Sequence, residues 1–310
     1  MISLRRHVLT LVAVFLALAV GVVLGSTSVA TSIRDAVVDR EETTAGQLEA
    51  AQRELGQSRL ANDRLGALAG DLTPAVVDGR LVDRPVLVVV APGASAEDVD
   101  AVTEAISLAG GIDAGRIRLT DRAVDPEADS ELAALVANLP IGDSPAGDAD
   151  MGAQLGTALG RAGLLRGEDA EPHLDDEDRA TVLTTLADAE MIAYEPGTIR
   201  PGQLAVLVTG PGVDEAAAVR SASLARTLDS EGAGVVVASA IGAGAGQDAV
   251  LVLRSSGQED ASTVDNAGTA AGRLATVLAL AEQLERGQGD YGLRHDATAA
   301  APSLPPAQTR

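Results

Sequence analysis

The sequence predicts an α/β protein in which an N-terminal transmembrane helix and a helical stalk precede an α/β domain. Three observations support this prediction: an uncharged apolar segment near the N-terminus, a Pro-free helical segment after it, and two buried-strand patterns that are each followed by a helix. Strands buried on both faces have continuous apolar runs, whereas half-exposed strands alternate. Because both strand patterns are continuous, we expect helices on both faces of a sheet.

The N-terminal segment, residues 1–33, has the length and composition of a membrane anchor. No charged residue lies between Val8 and Ile33, and a membrane-spanning helix needs about 20 apolar residues. Arg5 and Arg6 precede the apolar run, so the positive-inside rule places the N-terminus in the cytoplasm and the body of the protein outside it. The alternative is a cleaved signal peptide, because Ser28-Val29-Ala30 resembles a processing site. Both alternatives export the body.

Residues 34–72 are predicted to form a helical stalk. One heptad frame places apolar residues on two seam positions: Leu48, Leu55 and Ala69 on the first, and Val37, Ala51, Leu65 and Leu72 on the second. Polar residues interrupt both seams: Arg34, Glu41, Thr44, Ser58 and Asn62. A coiled coil, which would make the protein a homo-oligomer, is one prediction, and a solvated single helix is the alternative.

The α/β domain is predicted for residues 73–286. Val86 to Val90 form a continuous apolar strand, and Ser95 then caps a helix that runs to Ala109. The same arrangement recurs in a strand at Leu204–Val208, a helix at Asp214–Leu228 and a strand at Val235–Ala238. This recurrence predicts two related β-α-β halves, with chance similarity between Ala-rich helices as the alternative.

Further elements are predicted between and after the two halves. They are helices at Ser130–Asn138, Gln154–Leu165 and Asp176–Ala189, a strand at Val250–Leu253, and a last helix at Gly268–Arg286. Residues 287–310, which end in several Pro residues, are predicted to be a disordered tail.

Composition argues against several classes of function. A net charge of −22 makes nucleic acid an unfavourable partner. The chain has no Cys, and its three His residues lack the spacing of three or four that places two imidazoles on one helix face. It also has no G-x-S-x-G or H-E-x-x-H pattern. We therefore expect a protein that is not an enzyme and has no cofactor.

The most acidic stretch of the chain surrounds His173. Its carboxylates are Glu168, Asp169, Glu171, Asp175, Asp176, Glu177 and Asp178. Carboxylates and an imidazole can together hold a hard or borderline divalent ion, so His173, Asp175 and Asp176 are the candidate metal ligands. The alternative is a solvated acidic loop that leads into a helix, since Asp and Glu favour the first helical turn.

Two glycine-rich segments have features of nucleotide-binding loops but lack a required part. Residues 242–246 lie between two predicted strands and do not open a helix. Residues 209–212 do join a strand to a helix, where backbone amides can meet an anion, but no Lys follows them. A tight turn is therefore predicted at residues 209–212.

A polar motif precedes the last predicted helix. It consists of Ser262, Thr263, Asp265 and Asn266. Asp and Asn are favoured N-cap residues, so Asp265 or Asn266 is predicted to cap that helix.

The two ends of the chain resemble one known family. The opening MISLRRHVLTLVAVFLALAVGVVLGS and the closing STVDNAGTAAGRLATVLALAEQLERGQGDYG are similar to the ends of the MctB-type (mycobacterial copper transport protein B) copper transporter family. The order of anchor, stalk, α/β body and terminal helix agrees with that family. The resemblance implies a pore-forming membrane protein that exports copper and is associated with the outer membrane of the mycobacterial envelope.

Two functions are consistent with these observations. The first is a copper efflux or homeostasis component that transports copper ions. Since only one span is predicted, a pore would need several chains or a further membrane-active region of the chain. The second is a non-catalytic scaffold or binding module of the envelope, anchored to the cytoplasmic membrane.

Overall fold

A computed structural model describes residues 4–142, 150–167, 170–211, 213–240, 248–257 and 261–303. For residues 4–6, 24 and 26–45 it describes the backbone alone. The chain forms two compact units, Met1–Arg64 and Leu65–Arg310.

One helix, α1 (Leu4–Val77), contains both the predicted anchor and the predicted stalk, and it supplies all of the described part of the first unit. Its apolar side chains near the N-terminus are exposed, for example Leu9 and Phe15. Within the described residues, no helix is both long and apolar enough to cross a membrane. The helical prediction is confirmed, and the transmembrane span stays a prediction.

The second unit contains a mixed α/β domain. Its strands, in chain order, are β1 (Pro85–Val90), β2 (Ile112–Leu119), β3 (Leu165–Arg166), β4 (Glu171–Pro172), β5 (Ile192–Tyr194), β6 (Leu204–Thr209), β7 (Val235–Ser239), β8 (Ser262–Val264) and β9 (Asp290–Tyr291). Its further helices are α2 (Ala96–Leu108), α3 (Asp121–Val124), a 3₁₀ turn (Pro126–Ala128), α4 (Asp129–Val136), α5 (Met151–Gly163), α6 (Asp176–Asp188), α7 (Glu215–Glu231), α8 (Ala249–Ser256) and α9 (Ala270–Leu284).

Seven of these strands form one sheet, in the order β5-β2-β1-β6-β7-β8-β9. All neighbours in this sheet are parallel except β5, which is antiparallel to β2. Alternate residues of β1 face two different cores: Leu87 and Val89 pack with α5, α6 and α7, whereas Val88 packs with α2 and α9. The expected sheet covered on both faces is confirmed.

The two predicted β-α-β halves are both present, as β1-α2-β2 and β6-α7-β7. Their helices lie on opposite faces of the sheet, since α2 and α7 contribute to different cores. The connections from β1 to β2 and from β6 to β7 run in opposite directions along the sheet. Because such connections are right-handed, their helices must lie on opposite faces. The boundary between β1 and β6 is therefore a topological switch point, the place where open α/β sheets commonly bind ligands.

The strand predicted at Val250–Leu253 is wrong, because these residues lie inside α8. The Asp248 carboxylate accepts the backbone N–H of Leu251 at 2.7 Å and so caps the helix. Val250 and Leu253, three residues apart, then face the core together. A short apolar run of this kind has no periodicity that separates a strand from a helix.

The disordered tail predicted from residue 287 is also wrong for residues 287–303. This segment contains β9, and Tyr291 is only 6% exposed. Its order depends on contacts with residues distant in sequence, which local composition does not reveal. Residues 304–310 lie outside the described part of the chain.

Candidate functional site

At the switch point, the loops after β1 and β6 pack backbone against backbone. A Cβ atom on Gly210 would overlap the carbonyl oxygen of Gly93, so only glycine permits this approach. Residue 212 lies outside the described residues, as do residues 242–246, so the tight turn at residues 209–212 stays a prediction. The backbones thus meet at the crevice in which α/β proteins commonly hold a ligand.

Beside this contact lies a cavity of about 550 Å³ with an acidic lining that includes Asp121, Asp125 and Asp214. Two of these carboxylates have local partners: Asp125 accepts the N–H of Glu127, and Asp214 accepts that of Ala217. Both therefore act as helix caps.

A row of buried polar residues continues along the carboxyl ends of the neighbouring strands of the sheet. Thr209 pairs with Ser239 in the β6–β7 register, and Asp265 follows directly after β8. They are 4%, 1% and 4% exposed, respectively. The hydroxyl of Thr209 has no hydrogen-bond partner among the described residues.

Arg254 of α8 is the centre of a buried ion network at this end of the sheet. Its side chain is 3% exposed. One guanidinium nitrogen, Nη1, lies 2.8 Å from Asp265 Oδ2 and 3.0 Å from Asp296 Oδ1, and Nη2 donates to the carbonyl oxygen of Tyr291 at 2.7 Å. The N–H at Nε donates to Thr263 Oγ1 at 2.8 Å. A buried guanidinium with this many partners is well satisfied.

Asp265 fastens the C-terminal segment to the sheet. Its Oδ1 accepts the N–H of Leu293 at 2.7 Å, and its Oδ2 accepts that of Arg294 at 3.2 Å. A Cβ on Gly292 would overlap the Asp265 carboxylate, which explains the glycine at that position. Arg294 in turn donates to Asp248 at 3.0 Å.

Two titratable groups of this network are shifted by their surroundings. Burial alone would raise the pKa of Asp296, but the charge and hydrogen bond of Arg254 and the charge of Arg294 outweigh it, so the pKa lies below its usual value. Burial and a 2.5 Å hydrogen bond to Glu282 raise the pKa of the Tyr291 hydroxyl. Both groups keep their usual charge at neutral pH.

The motif of Ser262, Thr263, Asp265 and Asn266 lies within this network, and its predicted role as a helix cap is wrong. Thr269 caps α9 instead, since its hydroxyl accepts the N–H of Gly272 at 3.0 Å. Ser262 and Thr263 lie in β8 and pair with β7, so the polar motif is extended and α9 begins only at Ala270.

Three residues of the motif hold the C-terminal segment. The Ser262 hydroxyl accepts the N–H of Gly289, and the Thr263 hydroxyl donates to Asp290 at 2.6 Å. Asp265 acts as described above. Asn266 differs, because it is 1% exposed and its Oδ1 has no partner among the described residues.

The sequence prediction missed Arg254, Asp248, Asp290, Arg294 and Asp296, which complete the network. An Arg that ends an apolar run, as in AVLVLR, was the available signal. A charge next to such a run is expected to find a buried partner.

His173, the central candidate of the acidic stretch, contacts the end of α7. Its Nε2 lies 2.8 Å from the carbonyl oxygen of Glu231, and its Nδ1 lies 3.6 Å from the Glu231 carboxylate. A carbonyl oxygen only accepts hydrogen bonds, so Nε2 carries a proton and is not free to bind a metal. Arg161 also approaches the Glu231 carboxylate, at 3.3 Å.

Asp175 and Asp176 begin α6. Asp175 is the N-cap and accepts the N–H groups of Glu177 and Asp178 at 3.0 and 2.9 Å. Asp176 pairs with Arg179 one turn later, and its side chain is 94% exposed. These are the contacts of an acidic helix start, the alternative that the sequence also allowed.

All three candidate ligands line one open depression on the surface. Within the described residues, no group of three or more His, Asp and Glu side chains is arranged to hold a metal ion. Residues 168 and 169 of the acidic stretch lie outside the described part of the chain. Metal binding by His173, Asp175 and Asp176 stays a prediction.

Comparison with known proteins extends the resemblance of the two ends to the whole chain. The family described as "Copper transport outer membrane protein, MctB" matches residues 1–302. The chain belongs to the MctB family. Among its MctB relatives, the copper transporter MctB of Mycobacterium leprae is 33% identical over 311 residues, which cover 96% of this chain and 98% of the relative. The copper transporters MctB of Mycobacterium bovis and Mycobacterium tuberculosis are each 32% identical over 310 residues, with the same coverage.

Proposed function

We propose that this MctB family member is a copper efflux component of the cell envelope and acts as a pore-forming or pore-associated membrane protein. The observation that carries the proposal is its similarity, over 96% of the chain, to proteins named copper transporter. The match begins at residue 1 and so includes the N-terminal segment as well as the α/β domain. The matched part of the sequence therefore includes both the N-terminal helix and the α/β domain.

In this proposal, residues 1–33 form a single membrane anchor with a cytoplasmic N-terminus. The uncharged run from Val8 to Ile33 and the preceding Arg5 and Arg6 support this orientation. The α/β domain then lies on the far side of the cytoplasmic membrane. The family description names the outer membrane, which supports an association of the body with that membrane.

A pore requires several copies of the chain or a membrane-embedded partner. In lipid, backbone polar groups must be satisfied within the structure, and one helix encloses no channel. The stalk, residues 34–72, is the segment through which several copies would assemble. Pore formation therefore depends on self-association in this proposal.

Copper is the transported ion and not a resident cofactor in this proposal. Transport requires binding that is weak enough for the ion to leave. A net charge of −22 attracts cations and raises their concentration at the protein surface. The chain needs no catalytic group for this function.

A non-catalytic envelope scaffold is the second candidate function. Two observations favour it: the loops after β1 and β6 pack backbone against backbone, and the Arg254 network fastens the C-terminal segment to the sheet. Both features stiffen the body, and a rigid body suits the binding of a partner through its surface.

A deletion strain under copper stress separates the two functions. We expect intracellular copper to rise in the deletion strain and to return to the wild-type level when the full chain is expressed. A version that lacks residues 1–33, produced at the same level, is the control and is expected to leave copper high. Unchanged copper in the deletion strain would contradict efflux and favour the scaffold.

A further inference from the structure

Helix α1 presents an uncovered apolar seam. In the heptad abcdefg, Leu48 and Leu55 occupy a positions, and Leu65 and Leu72 occupy d positions. These four side chains are 60%, 50%, 63% and 49% exposed, respectively. Together with Ala51 and Ala69 these leucines follow the alternate spacing of three and four that forms the contact line of a coiled coil, with Ser58 and Asn62 as its polar positions.

Two polar residues, Ser58 and Asn62, lie in this seam, and Asn62 identifies the number of strands. Asn62 follows Leu48 and Leu55 on the a positions, and it is exposed. An Asn at one a position pairs with the same Asn of a second helix, at a cost in stability, and so fixes register and a two-stranded state. Asn62 occupies an a position, and Leu65 occupies the d position that follows it. The seam therefore favours two strands.

Charges beside the seam identify the orientation. Glu54 occupies a g position and Arg59 the e position five residues later. Residues five apart do not meet on one helix, whereas residues three or four apart do. In a parallel, in-register pair, each g residue faces the e residue of the next heptad on the other helix. Glu54 of each copy therefore faces Arg59 of the other copy, which gives two such pairs per dimer. An antiparallel pair lacks this match, because it sets g against g and e against e.

We infer that residues 48–72 of α1 bind the same residues of a second copy of this chain as a parallel, in-register, two-stranded coiled coil. The inference deepens the proposed function. It rests on that function in one respect, that all copies are anchored in the same membrane with the same orientation. Copies anchored by residues 1–33 present their stalks in parallel. The occupant of the seam is thus a second copy.

Site-directed crosslinking tests the seam on the full chain. The protein contains no Cys, so each single substitution supplies the only thiol. We expect Leu55→Cys to form a covalent dimer when membranes that contain the full chain are treated with diamide. Leu60→Cys is the matched control, since Leu60 lies at an f position on the other side of the helix and is 51% exposed, against 50% for Leu55.

The result for this pair of variants decides the inference. A Leu55→Cys dimer without a Leu60→Cys dimer supports the seam. Equal crosslinking of both variants, dimer formation by Leu60→Cys alone, no dimer for either variant, or capture of a different protein by Leu55→Cys would each overturn it.

Charge reversal tests the parallel orientation in the Leu55→Cys background. Glu54→Arg alone and Arg59→Glu alone each set like charges against each other, and we expect a lower dimer yield at low salt. The double variant restores opposite charges and should recover the yield. A double variant no better than either single variant would overturn the parallel register.

These outcomes are distinguishable from failure of the proposed function. If Leu55→Cys does not crosslink but the full chain restores copper efflux, the seam is wrong and the function stands. If Leu55→Cys crosslinks and the deletion strain has normal copper, the coiled coil stands and the efflux function fails.

Discussion

The acidic stretch around His173 and the ion network around Arg254 use the same side-chain types for opposite purposes. In the first, Asp175 and Asp176 are adjacent in sequence, face solvent and begin a helix. In the second, Asp265 and Asp296 come from distant parts of the chain and share one buried guanidinium. A dense run of carboxylates in a sequence therefore does not locate the buried charges of a fold.

The largest expected effect in this comparison follows the loss of Arg254. Arg254→Leu leaves the Asp265 side chain, which is only 1% exposed, without its counter-charge. Removal of one partner of a buried pair costs about 3–5 kcal/mol. We expect the free energy of unfolding of the full chain, measured with urea and circular dichroism, to fall by this amount.

The matched control is Asp176→Ala, which removes the exposed carboxylate of the Asp176–Arg179 pair. Exposed pairs contribute about 0–1 kcal/mol, so this variant should unfold near the wild-type urea concentration. A similar loss for both variants would mean that the network around Arg254 is no more important than a surface pair.

A smaller effect is expected from the N-cap of α6. Asp175→Ala removes the acceptor for the N–H groups of Glu177 and Asp178. Loss of such a cap costs about 1 kcal/mol. Asp175→Asn, which keeps an acceptor oxygen, should retain most of the stability in the same urea measurement. An equal loss for both variants would argue against the cap.

Acid should weaken the Arg254 network through Asp296. The pKa of Asp296 is lowered in the folded protein, so its stabilising contribution is complete above the pKa of an unfolded Asp, about 3.9, and is lost as the pH falls through the folded value. We expect the free energy of unfolding to decrease in this acidic range. Asp296→Asn should flatten that part of the pH profile, and an unchanged profile would contradict the assignment.

The smallest expected effect concerns copper tolerance. His173 has its Nε2 bonded to the Glu231 carbonyl, so we expect His173→Asn to leave copper-dependent growth unchanged. Growth of the deletion strain that expresses this variant at normal level is the measurement. A copper-sensitive strain would instead support the metal site predicted at His173, Asp175 and Asp176.

Local patterns predicted much of the fold. The Val86–Val90 run, the Ser95 cap and the second half from Leu204 to the end of β7 were all predicted, because their apolar runs and caps are readable within a few residues. The strand β2 was not assigned, since its pairing with β1 contains a register shift that interrupts the pattern.

The Arg254 network was beyond local patterns for a different reason. Its members come from α8, β8, β9 and the segment after β9, and their proximity depends on the complete sheet order. The polar motif at residues 262–266 was recognised, but its role was misassigned as a cap. The long-range partners Leu293 and Arg294 explain its Asp265.

The rate of copper loss from cells preloaded with copper tests the central claim most directly. The deletion strain, the strain that expresses the full chain, and a strain that expresses the chain without residues 1–33 are compared after transfer to copper-free medium. We predict fast copper loss only with the full chain. The same rate in all three strains would contradict copper efflux by this protein.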